Sequence, residues 1–135
     1  MKEKERYIRQ LSLPEIGEKG QERLKASKVL IIGAGGLGSP VALYLAAAGV
    51  GTLGILDYDK VSTSNLNRQI LYEEGDEGKQ KVEAAAHRLQ KLNSHIQINV
   101  YPEKITRENY QRALEIVADY DIVVDACDNM ATRYL

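Results

Sequence analysis

The sequence has no phenylalanine and no tryptophan, one cysteine, two histidines and three prolines in 135 residues. One cysteine forbids an internal disulfide. With His87 and His95 isolated from Cys127, no cysteine-based zinc site can form either, and both histidines read as solvated or helix-end residues. A formal charge of −1 leaves no basic excess, so nucleic acid is not the expected partner. The longest apolar run, around residues 41 to 50, stops far short of a bilayer span. The N-terminus "MKEKERYIRQ" is charged where a signal peptide needs an apolar core. Together these absences predict a cytoplasmic protein. Eight tyrosines are the only aromatics, and Tyr44, Tyr58, Tyr72, Tyr101 and Tyr110 are expected to pack in the core or at its rim.

What is present is a soluble-domain composition, 44% apolar, in a chain the usual size of one domain. From Lys28 onward, short β-rich runs alternate with longer helical ones, the pattern of βαβ units on a parallel sheet. "KVLIIG" (28–33), "TLGILD" (52–57), "IQINVY" (96–101) and "DIVVDA" (121–126) are the expected strands. "SPVALYLAAAGVG" places Pro40 in a first helical turn and Gly49 at a C-terminal stop. Val82, Ala85, Ala86, Leu89 and Leu92 share one face of a helix from about 78 to 93. A further helix is expected to be capped by Thr106 and to bury Tyr110, Ala113, Leu114 and Val117. Residues 5–11 and 15–26 read as two charged helices broken at Pro14. The expected fold is therefore α/β and Rossmann-like, a mostly parallel sheet with flanking helices. Residues 1–27 would form a helical arm and 28–135 a nucleotide-binding domain. "DNMATRYL" (128–135) reads as the first turns of a helix without packing partners, so a C-terminal portion is expected to be absent. The open sheet edge would then be covered by a partner subunit or further chain.

"GAGGLG", Gly33 to Gly38, ends an apolar strand and opens a helix, the context that a G-x-G-x-x-G match requires. Gly33 permits a tight turn, Gly35 lets backbone approach a phosphate, and Gly38 lets helix and strand pack. The helix N-terminus then favours an anion. Asp57 ends the second strand, 19 residues after Gly38, where a carboxylate can accept hydrogen bonds from a ribose diol; otherwise it caps the next turn. Asp59 is a second carboxylate at the rim. These features fit either a nicotinamide or flavin enzyme or a user of ATP. A triphosphate brings more negative charge than a dinucleotide and calls for Arg or Lys in addition to N–H groups. Arg68, in the unusual hexapeptide "SNLNRQ" (64–69), and Lys81, near the start of a helix, are placed to supply it, although either alone is compatible with a solvated surface cation.

Taken together, "RYIRQLSLPEIGEKGQERLKASKVLIIGAGGLGSPVALYLAAAGVGTLGILDYDKVSTSNLNRQILY", "GKQKVEAA" and "DACDN" resemble the N-terminal half of the ThiF/MoeB/HesA group, which is related to the ubiquitin-activating (E1) enzymes. The resemblance implies ATP-Mg-dependent adenylation of the C-terminal glycine of a ubiquitin-like sulfur-carrier protein, in a thiamine or molybdopterin type of pathway. It further implies that Gly36 contacts nucleotide, that Asp57 binds ribose, and that Asn65, Arg68 and Gln69 reach the phosphates. Lys81 would pair with phosphate, Asp128 would handle Mg²⁺ with Asn129 beside it, and Arg9 would be inserted into a partner's site across a homodimer. Cys127, between acids, reads as a small core residue; the family's catalytic cysteine and paired zinc cysteines would lie past residue 135, so no zinc is expected in this chain. A non-catalytic nucleotide-binding or dimerisation fragment is the first alternative, and an NAD-dependent oxidoreductase the second.

Overall fold

The computed structural model describes residues 3–35, 38–62 and 71–126. An arm of three helices, α1 (Glu3–Arg6), α2 (Ile8–Leu11) and α3 (Gly17–Ala26), precedes an alternation of strands and helices. These are β1 (Lys28–Ile32), α4 (Gly38–Ala48), β2 (Thr52–Leu56), α5 (Lys81–Leu92), β3 (Gln97–Tyr101), α6 (Tyr110–Val117) and β4 (Ile122–Asp125). The strands form one parallel sheet of order β3-β2-β1-β4. Because successive side chains on a strand point to opposite faces, β1 divides its apolar residues between two cores. Val29 and Ile31 join Leu53 and Ile55 beneath α4 and α5, where Ala42, Ala46, Val82, Ala85 and Leu89 meet them. Leu30 and Leu56 face the other way and pack on Ile116 of α6. On that second face the Tyr120 ring lies so close to Gly54 that a Cβ there would overlap it. The Tyr120 hydroxyl sits 2.8 Å from that of Tyr101 and accepts from Asn99 Nδ2 at 3.1 Å.

The arm is fastened to the sheet domain at the C-terminal ends of α4 and α5. Helix ends leave carbonyls without intrahelical donors, and the arm supplies donors to two of them. Gln10 and Gln21 donate to the Ala48 carbonyl at 2.9 and 3.2 Å, and Arg6 donates to that of Leu92 at 2.8 Å. Buried Asn93, just past α5, donates from Nδ2 to the Tyr7 hydroxyl at 2.5 Å and to the Ala46 carbonyl at 2.8 Å. Gly49 ends α4 at φ 93°, a left-handed residue that glycine adopts without strain. Among the described residues, no helix is long and apolar enough to cross a membrane.

Several local expectations need correction. The first arm helix divides at Tyr7, whose backbone leaves helical geometry (φ −105°, ψ 15°) as its ring turns into the interior. The helix expected from 78 begins at Lys81, and the one expected from 15 begins at Gly17. Asn109, not Thr106, precedes α6, and its Oδ1 accepts the Thr106 N–H at 2.7 Å. That helix buries Ile116, whereas Leu114 is 57% exposed and Tyr110 is exposed as well. Tyr44 projects into solvent from α4 rather than packing in the core.

Candidate functional site

In an open parallel sheet, the loops that leave the carboxyl ends of the strands gather at one edge, and ligands favour the point where strand order reverses. Here β1 lies between β2 and β4, so the reversal falls at the carboxyl ends of β1 and β4. The glycine loop leaves β1 at that point. Gly33 has φ 97°, a conformation that costs a side-chain-bearing residue strain. A Cβ on Gly38 would overlap the Gly33 carbonyl oxygen, so a glycine there is what allows α4 to start tight against the end of β1. The Ser39 N–H donates to the Gly35 carbonyl at 2.9 Å, which joins the loop to the first turn of α4.

Asp57, beyond the last residue of β2, is fixed by two main-chain donors. Its Oδ2 accepts the Ala34 N–H at 2.8 Å, and its Oδ1 accepts the Asp59 N–H at 2.8 Å. The carboxylate therefore caps the next turn and also ties β2 to the glycine loop. An ionised carboxylate offers about four lone-pair positions, so acceptor capacity remains for a further donor such as a sugar hydroxyl.

Lys81 opens α5. The segment before residue 63 is laid against its approach: Val61 N–H donates to the Lys79 carbonyl at 2.9 Å, and Lys81 N–H donates to that of Asp59 at 3.0 Å. The Lys81 side chain is only 7% exposed, and its Nζ lies 3.9 Å from Oδ2 of Asp59, whose side chain is 52% exposed. That separation is beyond hydrogen-bonding range. A cation in the first turn opposes the helix dipole, and a buried ammonium is costly unless well paired. An arriving anion would relieve both costs.

The structure thus brings Gly33, Gly35, Gly38, Asp57, Asp59 and Lys81 to one edge of the sheet. Gly36, Asn65, Arg68, Gln69, Asp128 and Asn129 lie outside the described residues, as does Cys127. Arg9 is not brought to this edge. It is exposed on α2, in the arm fastened to the far end of α4, and 11 helical residues span about 16 Å. Among the described residues, no group of three or more His, Cys, Asp or Glu could hold a metal ion.

Tyr72 is a component that the sequence did not reveal. Its hydroxyl donates to the Ala34 carbonyl at 2.5 Å, and Ser39 Oγ approaches the same oxygen at 3.4 Å. Burial, and then the charges of Asp57, Asp76 and Asp59, hold the Tyr72 phenol well above its ordinary pKa, so it remains protonated and able to donate. No spacing rule links Tyr72 to a loop 38 residues earlier, and only the fold reveals the contact.

A sulfur carrier protein adenylyltransferase from Thermus thermophilus is 53% identical over 133 residues, covering 98% of this chain and 48% of that protein. An adenylyltransferase and sulfurtransferase MOCS3 from Culex quinquefasciatus is 55% identical over 130 residues, covering 96% of this chain and 29% of that one. The chain therefore spans about half the length of the first relative and under a third of the second. Among solved structures, the E. coli tRNA N6-threonylcarbamoyladenosine dehydratase TcdA in complex with ATP superposes with a TM-score of 0.84 at 29% identity, over 93% of this chain and 50% of that one. The family description of ThiF matches residues 7–135, from within the arm through every strand of the sheet and the glycine loop. The chain belongs to the ThiF family.

Proposed function

We propose that this chain provides the nucleotide-binding part of an enzyme that uses ATP-Mg to adenylate the C-terminal glycine carboxylate of a ubiquitin-like sulfur-carrier protein. The observation that carries the reading is the buried Lys81 at a helix N-terminus, poorly paired among the described residues and facing the same sheet edge as the glycine loop and Asp57. The identity of the Thermus protein, well above that of the tRNA-modifying TcdA, supports a carrier protein as the substrate.

In this reading Gly33, Gly35, Gly36 and Gly38 form the phosphate loop, and Asp57 accepts from the ribose while Asp59 stands at the rim. Asn65, Arg68, Gln69 and Lys81 surround the phosphates; Asp128, with Asn129 beside it, meets the Mg²⁺ that arrives with ATP. One oxygen of the carrier carboxylate bonds to the α-phosphorus as the bond from that phosphorus to the β-phosphate oxygen breaks. Pyrophosphate leaves, and an acyl-adenylate remains. Both reactants are anions, so the cations act by offsetting their repulsion and the charge that gathers on the leaving group. No general base is needed, because the carboxylate is ionised near neutral pH. Arg9, remote from its own sheet edge, would act in a partner's site, which makes a homodimer the working unit. The same reading treats 1–27 as arm and 28–135 as nucleotide domain, and places the protein in the cytoplasm.

Carrier-dependent exchange of labelled pyrophosphate into ATP tests the reaction. Exchange that vanishes when the carrier's terminal glycine is removed is expected. Absence of exchange with every carrier, or tighter binding of NAD than of ATP-Mg, would overturn the proposal.

A further inference from the structure

We infer that the Tyr72 hydroxyl aims the glycine loop at the nucleotide, which makes Tyr72 a positioning residue of the site. The inference rests on the nucleotide reading above and adds a residue to it. Four main-chain polar groups belong to Ala34 and Gly35. The Ala34 N–H is held by Asp57, the Gly35 carbonyl by the Ser39 N–H, and the Ala34 carbonyl by the Tyr72 hydroxyl at 2.5 Å with Ser39 Oγ behind it. The fourth, the Gly35 N–H, meets no acceptor among the described residues. No described peptide bond is cis, and in a trans peptide the carbonyl and the following N–H point in opposite directions. Tyr72 and Ala34 are both buried, so a carbonyl drawn toward Tyr72 turns the Gly35 N–H away from the interior.

The hydroxyl matters because Gly35 has no side chain to resist rotation. Without an inward donor, the 34–35 peptide could turn over and present a carbonyl where a phosphate requires an N–H. Phenylalanine at position 72 would fill the same space but leave only the longer Ser39 Oγ contact, at 3.4 Å, to hold the Ala34 carbonyl inward. The raised phenol pKa, caused first by burial and then by Asp57, Asp76 and Asp59, keeps the donor in place over the working pH range.

Two measurements test the inference. Tyr72→Phe should bind ATP-Mg about ten-fold more weakly in calorimetric titration, while adenosine, which lacks phosphate, competes as well as it does in the parent. In the unsubstituted protein, the Gly35 amide proton should move downfield in ¹H–¹⁵N spectra on saturation with ATP-Mg. This second measurement decides the matter if the variant does not fold. Equal ATP-Mg affinity in Tyr72→Phe, or an unmoved Gly35 resonance in an ATP-saturated parent, would overturn the role of Tyr72 and leave the nucleotide reading intact. A parent that binds no ATP-Mg would overturn both.

Discussion

Lys81→Met is expected to separate stability from nucleotide affinity. At an effective dielectric constant of about 20, unit charges at the Lys81–Asp59 separation of 3.9 Å attract by about 4 kcal/mol. Against this stand the cost of burying the ammonium, several kcal/mol, and about 0.3–1 kcal/mol from the helix N-terminus. Asp59 is half exposed, so water solvates it once its partner is gone. The terms nearly cancel, and the unfolding free energy from urea titration should change by less than about 1 kcal/mol. A charge-assisted contact to phosphate is commonly worth about 1.5–3 kcal/mol, so ATP-Mg binding measured by calorimetry should weaken roughly ten- to a hundred-fold. A variant that loses more than about 2 kcal/mol of stability yet binds ATP-Mg like its parent would show that Lys81 serves the fold, and the central argument for an anion site would fail.

Other outcomes test separate parts of the account. Gly38→Ala places a Cβ on the Gly33 carbonyl oxygen; because backbone cannot yield as a flexible side chain does, urea titration should show a loss of roughly 1–3 kcal/mol. Tyr7→Phe removes the acceptor of a buried Asn93 donor and should cost about 1–3 kcal/mol, with ATP-Mg affinity unchanged because the arm lies at the opposite pole. Arg9→Ala and Arg68→Ala, each inactive in pyrophosphate exchange, should regain part of that activity when mixed; no recovery would count against action across a dimer. Burial raises the pKa of Tyr72 and of Tyr120 above the unfolded value, aided by nearby acids in the first case and by the Tyr101 hydroxyl in the second. The folded state therefore holds protons that the unfolded state releases above about pH 10. Stability that is fully present below that pH should decline as pH rises above it toward the raised folded values, and the double Tyr72→Phe, Tyr120→Phe variant should show a flatter decline.

The sheet was legible because β1 and β2 are buried on both faces and read as near-continuous apolar runs, with a helical period between them. Glycine punctuation marked the turns at Gly33 and Gly49. The α6 face misled because Tyr110 and Leu114 fall at helical spacing, and periodicity does not say which side of a helix meets a sheet; Ile116 took the inward position. Position 7 was lost for a related reason, since a tyrosine in a charged stretch looks like surface until Asn93, 86 residues later, supplies its partner. Asp57 could be singled out by its spacing from the glycine loop, and Lys81 by its place near the start of a helix and within "GKQKVEAA". The backbone clamp on Asp57 could not, because both donors depend on how two separate segments come together.

That clamp makes the placement of the acid at the end of β2 a by-product of folding. Its orientation is set before any sugar arrives, by amides that exist in the right place only when the first turn and the second crossover have both formed. If Asp57 holds the ribose as proposed, a fluorescent ATP analogue would count the molecules whose first two strands are correctly assembled, and would pass over those that are merely in solution.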